Sequence, residues 1–489
     1  MARMNDPSRL EARKPRGFAD KTAPVLAAER RLVDAVSAVY ARWGFEPLDT
    51  GPFEYVDALG KFLPDTDRPN EGVFALQDDD DQWIALRYDH TAPLARYVAE
   101  NWDRLAKPFR RYAAGPVWRN EKPGPFRFRE FIQCDADAVG VSGPGADAEM
   151  IAIAAEAMRA AGAGTGEFSV RVNTRHLLDG VMEASGVLDP ALRGVVLRSL
   201  DKLDRLGPEG VALLLGPGRR DESGDVTPGA GLKPAQIDRL LAFAAARGPT
   251  RRDTIARLAA AAGGNASSDA GLSELDVIDT LLRALGIGEE DVVFDPSVVR
   301  GLEYYTGPVF EAELLREFRD ADGRLVRFGS VGGGGRYDGL VARFRGEPSP
   351  ATGFSVGVSR LAAAMAAGIE AALDGPILVL VLDPACLGDY FAIAAELRAA
   401  GLQAETYLGA SGMRAQMKYA DRRRSPAVVI VGESERERGV ATIKDLKVGA
   451  EAARSISGHD EWRAARPGQF EAPRSEMTAR LLEIVGGRP

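Results

Sequence analysis

The hydrophobic pattern of this 489-residue chain changes three times, and each change restricts the folds open to it. Residues 25–43 carry apolar side chains at helical spacing, and short strand-like pieces separated by turns follow them. Residues from about 176 to 290 are rich in Ala, Leu, Arg and Asp with helical periodicity, and strand composition returns after them. From Pro376 onward, strands and helices alternate. The pattern predicts several domains rather than one core.

The four regions predict the domain organisation directly. Residues 1–175 and 291–374 are expected to form the two parts of one α+β domain built on an antiparallel sheet with helices. Residues 176–290 are expected to be a helical insertion in that domain. Residues 375–489 are expected to be a C-terminal α/β domain with a small, mainly parallel sheet, because its apolar strands alternate with helices.

Composition excludes several functional classes. Two cysteines and three histidines rule out a disulfide framework and a His/Cys zinc cluster. No P-loop motif is present, and Cys134, which has acidic neighbours, is expected to be a packed core residue. No apolar run approaches the ~20 residues that a membrane span needs. The first residues contain no apolar segment, so no signal peptide is predicted there. We therefore expect a soluble, cytoplasmic protein without a membrane partner.

The formal net charge of −9 argues against a general nucleic-acid coat protein, but it hides two basic clusters. For either cluster alone, solvated helix faces are the favoured interpretation. The first cluster comprises Arg104, Lys107, Arg110, Arg111, Arg119, Lys122, Arg127 and Arg129. The second comprises Arg414, Lys418, Arg422, Arg423 and Arg424.

Polar side chains also stand on segments of strand composition. In the strand-like segment that ends at Asp137, period-two alternation places Gln133, Asp135 and Asp137 on one face. Such a face cannot be a dry core without partners, so it is either a solvent face or a binding surface. Gly332 to Gly335 lie in another strand-like stretch, although four glycines taken alone favour a loop.

Five segments, read together and in order, resemble the histidyl-tRNA synthetases, a family of class II aminoacyl-tRNA synthetases. They are RYDHT, RNEKP with RFREFIQCDAD, RGLEYYTG, GGGGRYDGL and GFSVGVSRL. The resemblance spans about residues 15–445, and RGLEYY with GGGRYDGL is close to diagnostic. GFEPLDTGPFE resembles class II motif 1, with Pro52 at the dimer-interface position. Residues 119–133 resemble motif 2, and residues 353–361 resemble motif 3.

The resemblance implies a class II catalytic domain with a helical insertion and a C-terminal anticodon-binding domain. It implies that the carboxylate of L-histidine attacks the α-phosphate of ATP, and that the enzyme then transfers histidine to tRNA(His). Arg119 and Arg300 would hold the α-phosphate, Arg360 would hold the γ-phosphate, and Glu121 would contact the adenine side or Mg²⁺-linked groups. Arginine suits these roles because it stays charged and can bond two oxygens at once.

The family's amino-acid pocket can be carried over residue by residue. Asp89, Thr91 and Gln133 would hold the α-ammonium group. Asp137, Tyr304 and Tyr305 would surround the imidazole ring. Asp89 and Asp137 are shorter carboxylates standing where many bacterial relatives have glutamate. Asp135 is not assigned to the site, and His90 is expected to be a filler.

The resemblance further implies Mg²⁺ accompanying ATP, a homodimer, and contact between tRNA and Arg414, Lys418 and residues 422–424. Two alternatives stay open. One is a non-catalytic paralogue that regulates histidine biosynthesis. The other is a class II synthetase for another amino acid. Retention of Arg119, Arg300, Arg360 and the long tail favours the ligase.

Overall fold

The structure is a computed structural model that describes residues 10–59, 72–124, 126–220, 224, 226–299, 305–319, 325–366, 374–448 and 468–486. It divides into two compact units, residues 1–369 and 370–489. In the described residues no helix is long and apolar enough to cross a membrane.

The strands of the first unit are β1 (Glu46–Pro47), β2 (Phe53–Tyr55), β3 (Ala75–Gln77), β4 (Trp83–Leu86), β5 (Phe109–Trp118), β6 (Glu130–Val139), β7 (Phe168–Thr174), β8 (Gly218–Arg220), β9 (Val226–Pro228), β10 (Val292–Phe294), β11 (Pro308–Arg319), β12 (Leu325–Arg336) and β13 (Ala351–Gly357). Its helices are α1 (Ala23–Arg42), α2 (Val56–Leu59), α3 (Thr91–Asn101), α4 (Pro144–Ala160), α5 (Arg175–Ala184), α6 (Pro190–Leu200), α7 (Leu203–Leu215), α8 (Pro234–Ala244), α9 (Arg251–Ala261), α10 (Ala266–Ala284), α11 (Gly339–Arg345) and α12 (Val358–Ala366).

An eight-stranded sheet forms the centre of this unit, in the order β1-β5-β6-β13-β12-β11-β7-β10. The predicted antiparallel pairing is confirmed for the six central strands, and only the edge strands β1 and β10 pair in parallel. One face of the sheet is covered by α1 and α4, where Cys134 and Ala136 of β6 lie in the apolar core. The region predicted to be helical contains α5 to α10 and the small β8–β9 hairpin.

The four consecutive glycines lie within β12 rather than in a loop. Close packing explains their presence: a Cβ at Gly334 would stand 2.3 Å from the carbonyl oxygen of Gly353, and one at Gly332 would stand 2.8 Å from the Phe354 ring. Gly353 faces Asp137, whose Oδ1 would lie only 2.1 Å from an added Cβ. Glycine is therefore required here by contacts between neighbouring strands and not by a turn.

The second unit contains β14 (Ile377–Val379), α13 (Leu387–Ala399), β15 (Ala404–Thr406), α14 (Met413–Arg423), β16 (Ala427–Ile430), α15 (Glu433–Arg438), β17 (Val440–Asp445), β18 (Gln469–Pro473) and α16 (Met477–Gly486). Its sheet has the order β15-β14-β16-β17-β18. The expectation of a mainly parallel sheet is only half right, because β17 and β18 pair antiparallel. Residues 431–439 are too few for the crossover that parallel pairing needs.

Candidate active site

The candidate site lies on the face of the central sheet opposite α1 and α4. There β6 contributes Gln133, Asp135 and Asp137, which are 8%, 2% and 2% exposed, so this is not a solvent face. Their strand neighbours are mostly small residues; the Arg87 guanidinium lies close to Gly115, and the Asp137 carboxylate lies close to Gly353. On β5 these neighbours are Gly115, Ala113 and Arg111, and on β13 they are Gly357, Ser355 and Gly353.

Asp137 is held by two side chains that the sequence reasoning did not assign to the site. Arg111 Nη2 lies 3.0 Å from Asp137 Oδ2, and the Tyr337 hydroxyl donates to Asp137 Oδ1. Burial raises the pKa of Asp137, while the charge of Arg111 opposes this shift. Arg111 also donates to the carbonyl oxygen of His90 at 2.7 Å, which ties the residue before α3 to the sheet.

Asp89 lies two residues before helix α3. Its Oδ1 accepts hydrogen bonds from the backbone N–H groups of Thr91 (3.0 Å) and Ala92 (2.9 Å). Burial raises the pKa of Asp89, and these N–H groups and the charge of Arg119 oppose the shift. The carboxylate therefore has a fixed place at the helix N-terminus, with one oxygen left for other contacts.

Arg119 and Tyr305 complete the described part of the pocket. Arg119 Nε donates to the carbonyl oxygen of Tyr88 at 3.1 Å, and its guanidinium carbon lies 5.2 Å from the centre of the Phe131 ring. Burial and the negative charges of Asp137, Asp89 and Asp135 raise the pKa of Tyr305, which keeps its hydroxyl protonated. The charges of Arg119 and Asp137 therefore act on Asp89, and all three charges act on the Tyr305 hydroxyl.

Arg360 lies on α12, beside a different cavity. Its Nη2 donates to the carbonyl oxygen of Phe328 at 2.8 Å. The cavity has a volume of about 210 Å³. It is lined by Arg360 together with Arg171, Leu200, Asp201, Leu203, Asp204, Ser297, Val298, Val299, Glu311, Glu313, Gly329 and Ser330.

Four further predicted residues are Arg300, Tyr304, Glu121 and Pro52. Arg300 and Tyr304 fall outside the described residues. Glu121 is exposed, and its carbonyl oxygen accepts from Arg129 Nε at 3.0 Å. Pro52 is also exposed, and its carbonyl oxygen accepts from the backbone N–H of Arg87 at 2.9 Å.

The second basic cluster lies on α14 and at its end, in the second unit. All five side chains are exposed. Arg414 and Lys418 line a shallow pocket of about 640 Å³ at the start of the helix. Arg423 pairs with Glu405 at 3.2 Å, and Arg424 caps the helix in the left-handed conformation with φ of 56°.

Comparison with known proteins decides the family. A family model described as Histidyl-tRNA synthetase matches residues 17–361, and one described as Anticodon binding domain matches residues 377–458. The chain belongs to the histidyl-tRNA synthetase family. The resemblance drawn from the motifs and the predicted fold class are thereby confirmed.

Curated relatives of this histidyl-tRNA synthetase family match almost the whole chain. A Histidine--tRNA ligase from Caulobacter vibrioides is 59% identical and covers 99% of this chain and 98% of its own length. One from Mesorhizobium japonicum is 52% identical and covers 98% of this chain and 97% of its own length. A solved histidyl-tRNA synthetase from Nostoc superposes with a TM-score of 0.73 at 26% identity, covering 98% and 100%.

The sequence signals for the missed residues can now be identified. Arg111 was counted in a basic cluster interpreted as solvated, yet it is 1% exposed and paired with Asp137. That interpretation is wrong for Arg111 because β5 places it opposite Asp137 in the register. Tyr337 belongs to GGGGRYDGL, the motif that identifies the histidyl-tRNA synthetase family, so the motif itself held the signal.

Two further predictions concerned residues near this pocket. Cys134 is fully buried, and burial raises the pKa of its thiol to about 12, which confirms an unreactive core residue. His90 is also buried, with its Nε2 3.2 Å from the carbonyl oxygen of Gly115. Burial and the charges of Arg111 and Arg87 lower its pKa to about 3. A ring that stays neutral and contacts the backbone agrees with the role of a filler.

Proposed function

We propose that this protein is an ATP-dependent histidine–tRNA ligase. It activates L-histidine with ATP to histidyl-adenylate and transfers histidine to the 3′ end of tRNA(His), giving histidyl-tRNA, AMP and pyrophosphate. The observation that carries the proposal is a pocket in which the buried carboxylates of Asp89, Asp135 and Asp137 repel one another and the charge of Arg119 acts on Asp89. The curated relatives named as ligases support the same activity over nearly the full chain, and they do not favour the regulatory paralogue.

The pocket suits a cationic amino acid. Asp89, Thr91 and Gln133 bind the α-ammonium group of histidine. Asp137 accepts a hydrogen bond from one imidazole nitrogen, and Tyr304 and Tyr305 enclose the ring. Because Arg111 and Tyr337 hold Asp137 in place, its carboxylate needs little reorganisation when histidine binds. Amino acids without ring nitrogens would bury this carboxylate without the additional hydrogen-bond donor that histidine supplies, which penalises them.

The activation step needs no nucleophile from the protein, because the carboxylate of histidine attacks the α-phosphate. Arg119 and Arg300 hold that phosphate and stabilise the negative charge that develops on its oxygens. The carbonyl oxygen of Tyr88 and the Phe131 ring orient the Arg119 guanidinium. Because the guanidinium is already oriented, it positions ATP without a loss of side-chain conformational entropy at the moment of reaction.

Arg360 binds the γ-phosphate and Glu121 contacts the adenine side of ATP. Mg²⁺ usually keeps several waters and binds one or two carboxylates plus the phosphates of its nucleotide. Glu311 and Glu313 line the same cavity as Arg360, so their carboxylates would hold such an ion there, and Glu313 also pairs with Arg171 at 3.2 Å. When bound, Mg²⁺ would neutralise part of the triphosphate charge.

The remaining parts of the proposal concern tRNA and assembly. The exposed side chains of Arg414, Lys418, Arg422, Arg423 and Arg424 contact the tRNA backbone. The exposed loop at Pro52 belongs to a homodimer interface, and the protein works in the cytoplasm. Residues 1–175 and 291–374 form the catalytic domain, 176–290 its insertion, and 375–489 the anticodon-binding domain.

The test is histidine-dependent ATP–pyrophosphate exchange on the purified protein, with the other amino acids as controls. We expect exchange with histidine alone, and its loss in Arg300→Ala. Arg327→Ala is a matched control, because Arg327 is exposed and, within the described part of the chain, forms its ion pair with Glu317 on the neighbouring strand. Histidine binding without exchange would contradict the ligase and favour the regulatory paralogue.

A further inference from the structure

A chain of hydrogen bonds crosses the floor of the pocket between β6 and β13. Gln133 Nε2 donates to Ser355 Oγ at 2.9 Å, and Ser355 Oγ donates to Asp135 Oδ1 at 2.5 Å. Asp135 and Ser355 are paired in the strand register, and Gln133 lies two positions before Asp135. The chain of bonds therefore links three side chains on one face of the sheet.

When Asp135 is ionised, the donors and acceptors in this chain allow one arrangement. An ionised carboxylate only accepts, so the single hydroxyl hydrogen of Ser355 goes to Asp135. The Ser355 oxygen can then only accept a hydrogen bond from Gln133, so the NH₂ group of Gln133 must be the donor. The amide oxygen of Gln133 is consequently turned away from Ser355. In the described residues neither Gln133 Oε1 nor Asp135 Oδ2 has a hydrogen-bond partner, although both atoms are buried.

A buried acceptor without a partner is costly, so a ligand donor is the natural complement to each of these oxygens. The space for a ligand exists because Gly333 lies opposite Ser355 on β12. Among the described residues, a Cβ built at Gly333 would meet only the carbonyl oxygen of Phe310, at 3.8 Å. The other charges acting on Asp135 are Asp137 and Asp89, which repel it, and Arg111, which attracts it. An added cation would therefore relieve the repulsion among the carboxylates.

We propose that Asp135 and Ser355 are positioning residues for histidine binding. Together they hold the Gln133 amide with its oxygen toward the α-ammonium group, and Asp135 adds a negative charge beside that group. This assignment rests on the proposed function, and it adds two residues to the site that the motif comparison had not given.

The main test is the Michaelis constant for histidine in the exchange reaction of Ser355→Ala. This substitution frees the Gln133 amide to rotate but keeps the amide and both carboxylates. We expect the KM for histidine to rise about 10-fold, the size expected for one hydrogen bond to a charged group. The KM for ATP and kcat should change by less than about 2-fold, because the phosphate site is untouched.

Two variants accompany it. Ser355→Thr keeps the hydroxyl, and the open space at Gly333 accommodates its methyl group, so the KM for histidine should return toward the wild-type value. Ser199→Ala is the matched control, because it removes a buried serine hydroxyl that donates to Val195 in α6. It should leave every kinetic constant unchanged.

Two inhibitors separate positioning from a general loss of structure. Histidinol keeps the ammonium group, and its inhibition constant should rise in parallel with the KM for histidine in Ser355→Ala. Imidazolepropionate lacks the ammonium group, so its inhibition constant should be the same for the variant and the wild type. Equal shifts for both inhibitors, or an unchanged KM for histidine, would overturn the proposal.

Histidine binding measured by calorimetry distinguishes failure of the ligase proposal from failure of the positioning proposal. If the wild type binds histidine but gives no exchange, the ligase proposal fails, and the affinity of Ser355→Ala still decides the positioning proposal.

If Ser355→Ala does not fold, Asp135→Asn replaces it. This variant removes the charge and frees the serine hydroxyl to turn, so histidine binding should weaken about 10-fold here too. Unchanged affinity in Asp135→Asn would overturn the proposal.

Discussion

The two basic clusters look alike in composition, but the first contains a buried arginine, whereas every member of the second is exposed. In the first, Arg111 lies on a central strand, is almost fully buried and forms an ion pair with Asp137. In the second, all five side chains lie on or after α14 and are exposed, and Arg423 pairs with Glu405 at the surface. A buried arginine positions another side chain, whereas an exposed row of cations attracts a polyanion.

This contrast predicts a large effect of removing Arg111. Arg111→Met leaves Asp137 buried without its cation, so we expect a loss of about 3–5 kcal/mol in the free energy of unfolding and loss of exchange activity. Chemical denaturation of the full chain measures the first quantity. Arg110→Met is the matched control, because Arg110 pairs with Glu149 in a partly exposed position and should cost no more than about 1 kcal/mol.

A second substitution shows whether the loss comes from the pair itself. If it does, Arg111→Met combined with Asp137→Asn should be more stable than Arg111→Met alone, because no buried charge remains. Exchange activity should stay absent, since the imidazole would have lost its carboxylate. Equal stability of the single and double variants would mean that Arg111 acts only through packing.

The pH dependence of stability tests the buried carboxylates on β6. Burial and the neighbouring Asp137 raise the pKa of Asp135 from 3.8 to about 7. Between these values the folded state binds more protons than the unfolded state, so ionisation of Asp135 lowers stability as pH rises. Asp135→Asn removes this cost, and its melting temperature relative to the wild type should therefore be higher at pH 8 than at pH 5. A difference that does not change with pH would contradict the raised pKa.

The second cluster predicts an effect confined to tRNA. Reversing the charges in Arg414→Glu combined with Lys418→Glu should lower kcat/KM for aminoacylation about 10-fold and leave histidine-dependent exchange unchanged. The loss should shrink as salt concentration rises, because salt screens contacts with phosphate. Equal losses in both assays would contradict a role in tRNA binding.

The smallest predicted effect is on stability within that same cluster. Arg422→Ala, at an exposed position, should change the free energy of unfolding by no more than about 0.5 kcal/mol. Arg423→Ala removes the surface pair with Glu405 and should cost between 0 and about 1 kcal/mol. A cost as large as that of Arg111→Met would remove the distinction between the two clusters.

Local sequence patterns predicted the elements well because helices and strands have characteristic periods. The helix expected over residues 25–43 is present as α1, and the acidic run at residues 78–81 forms the turn between β3 and β4. The period-two face of β6 was also predicted. Local patterns did not predict the strand directions in the sheet of the second unit, because the direction of β17 depends on how a short connection packs.

The sequence by itself determined the family, because RGLEYY and GGGGRYDGL identify it without any structure. It also determined which residue types face the same side of each strand. Only the tertiary structure decided which charges are buried and paired, because Tyr337 reaches Asp137 across 200 positions and Arg111 reaches it through the β5–β6 register. Burial and pairing depend on contacts between distant segments, and the linear order of residues does not contain those distances.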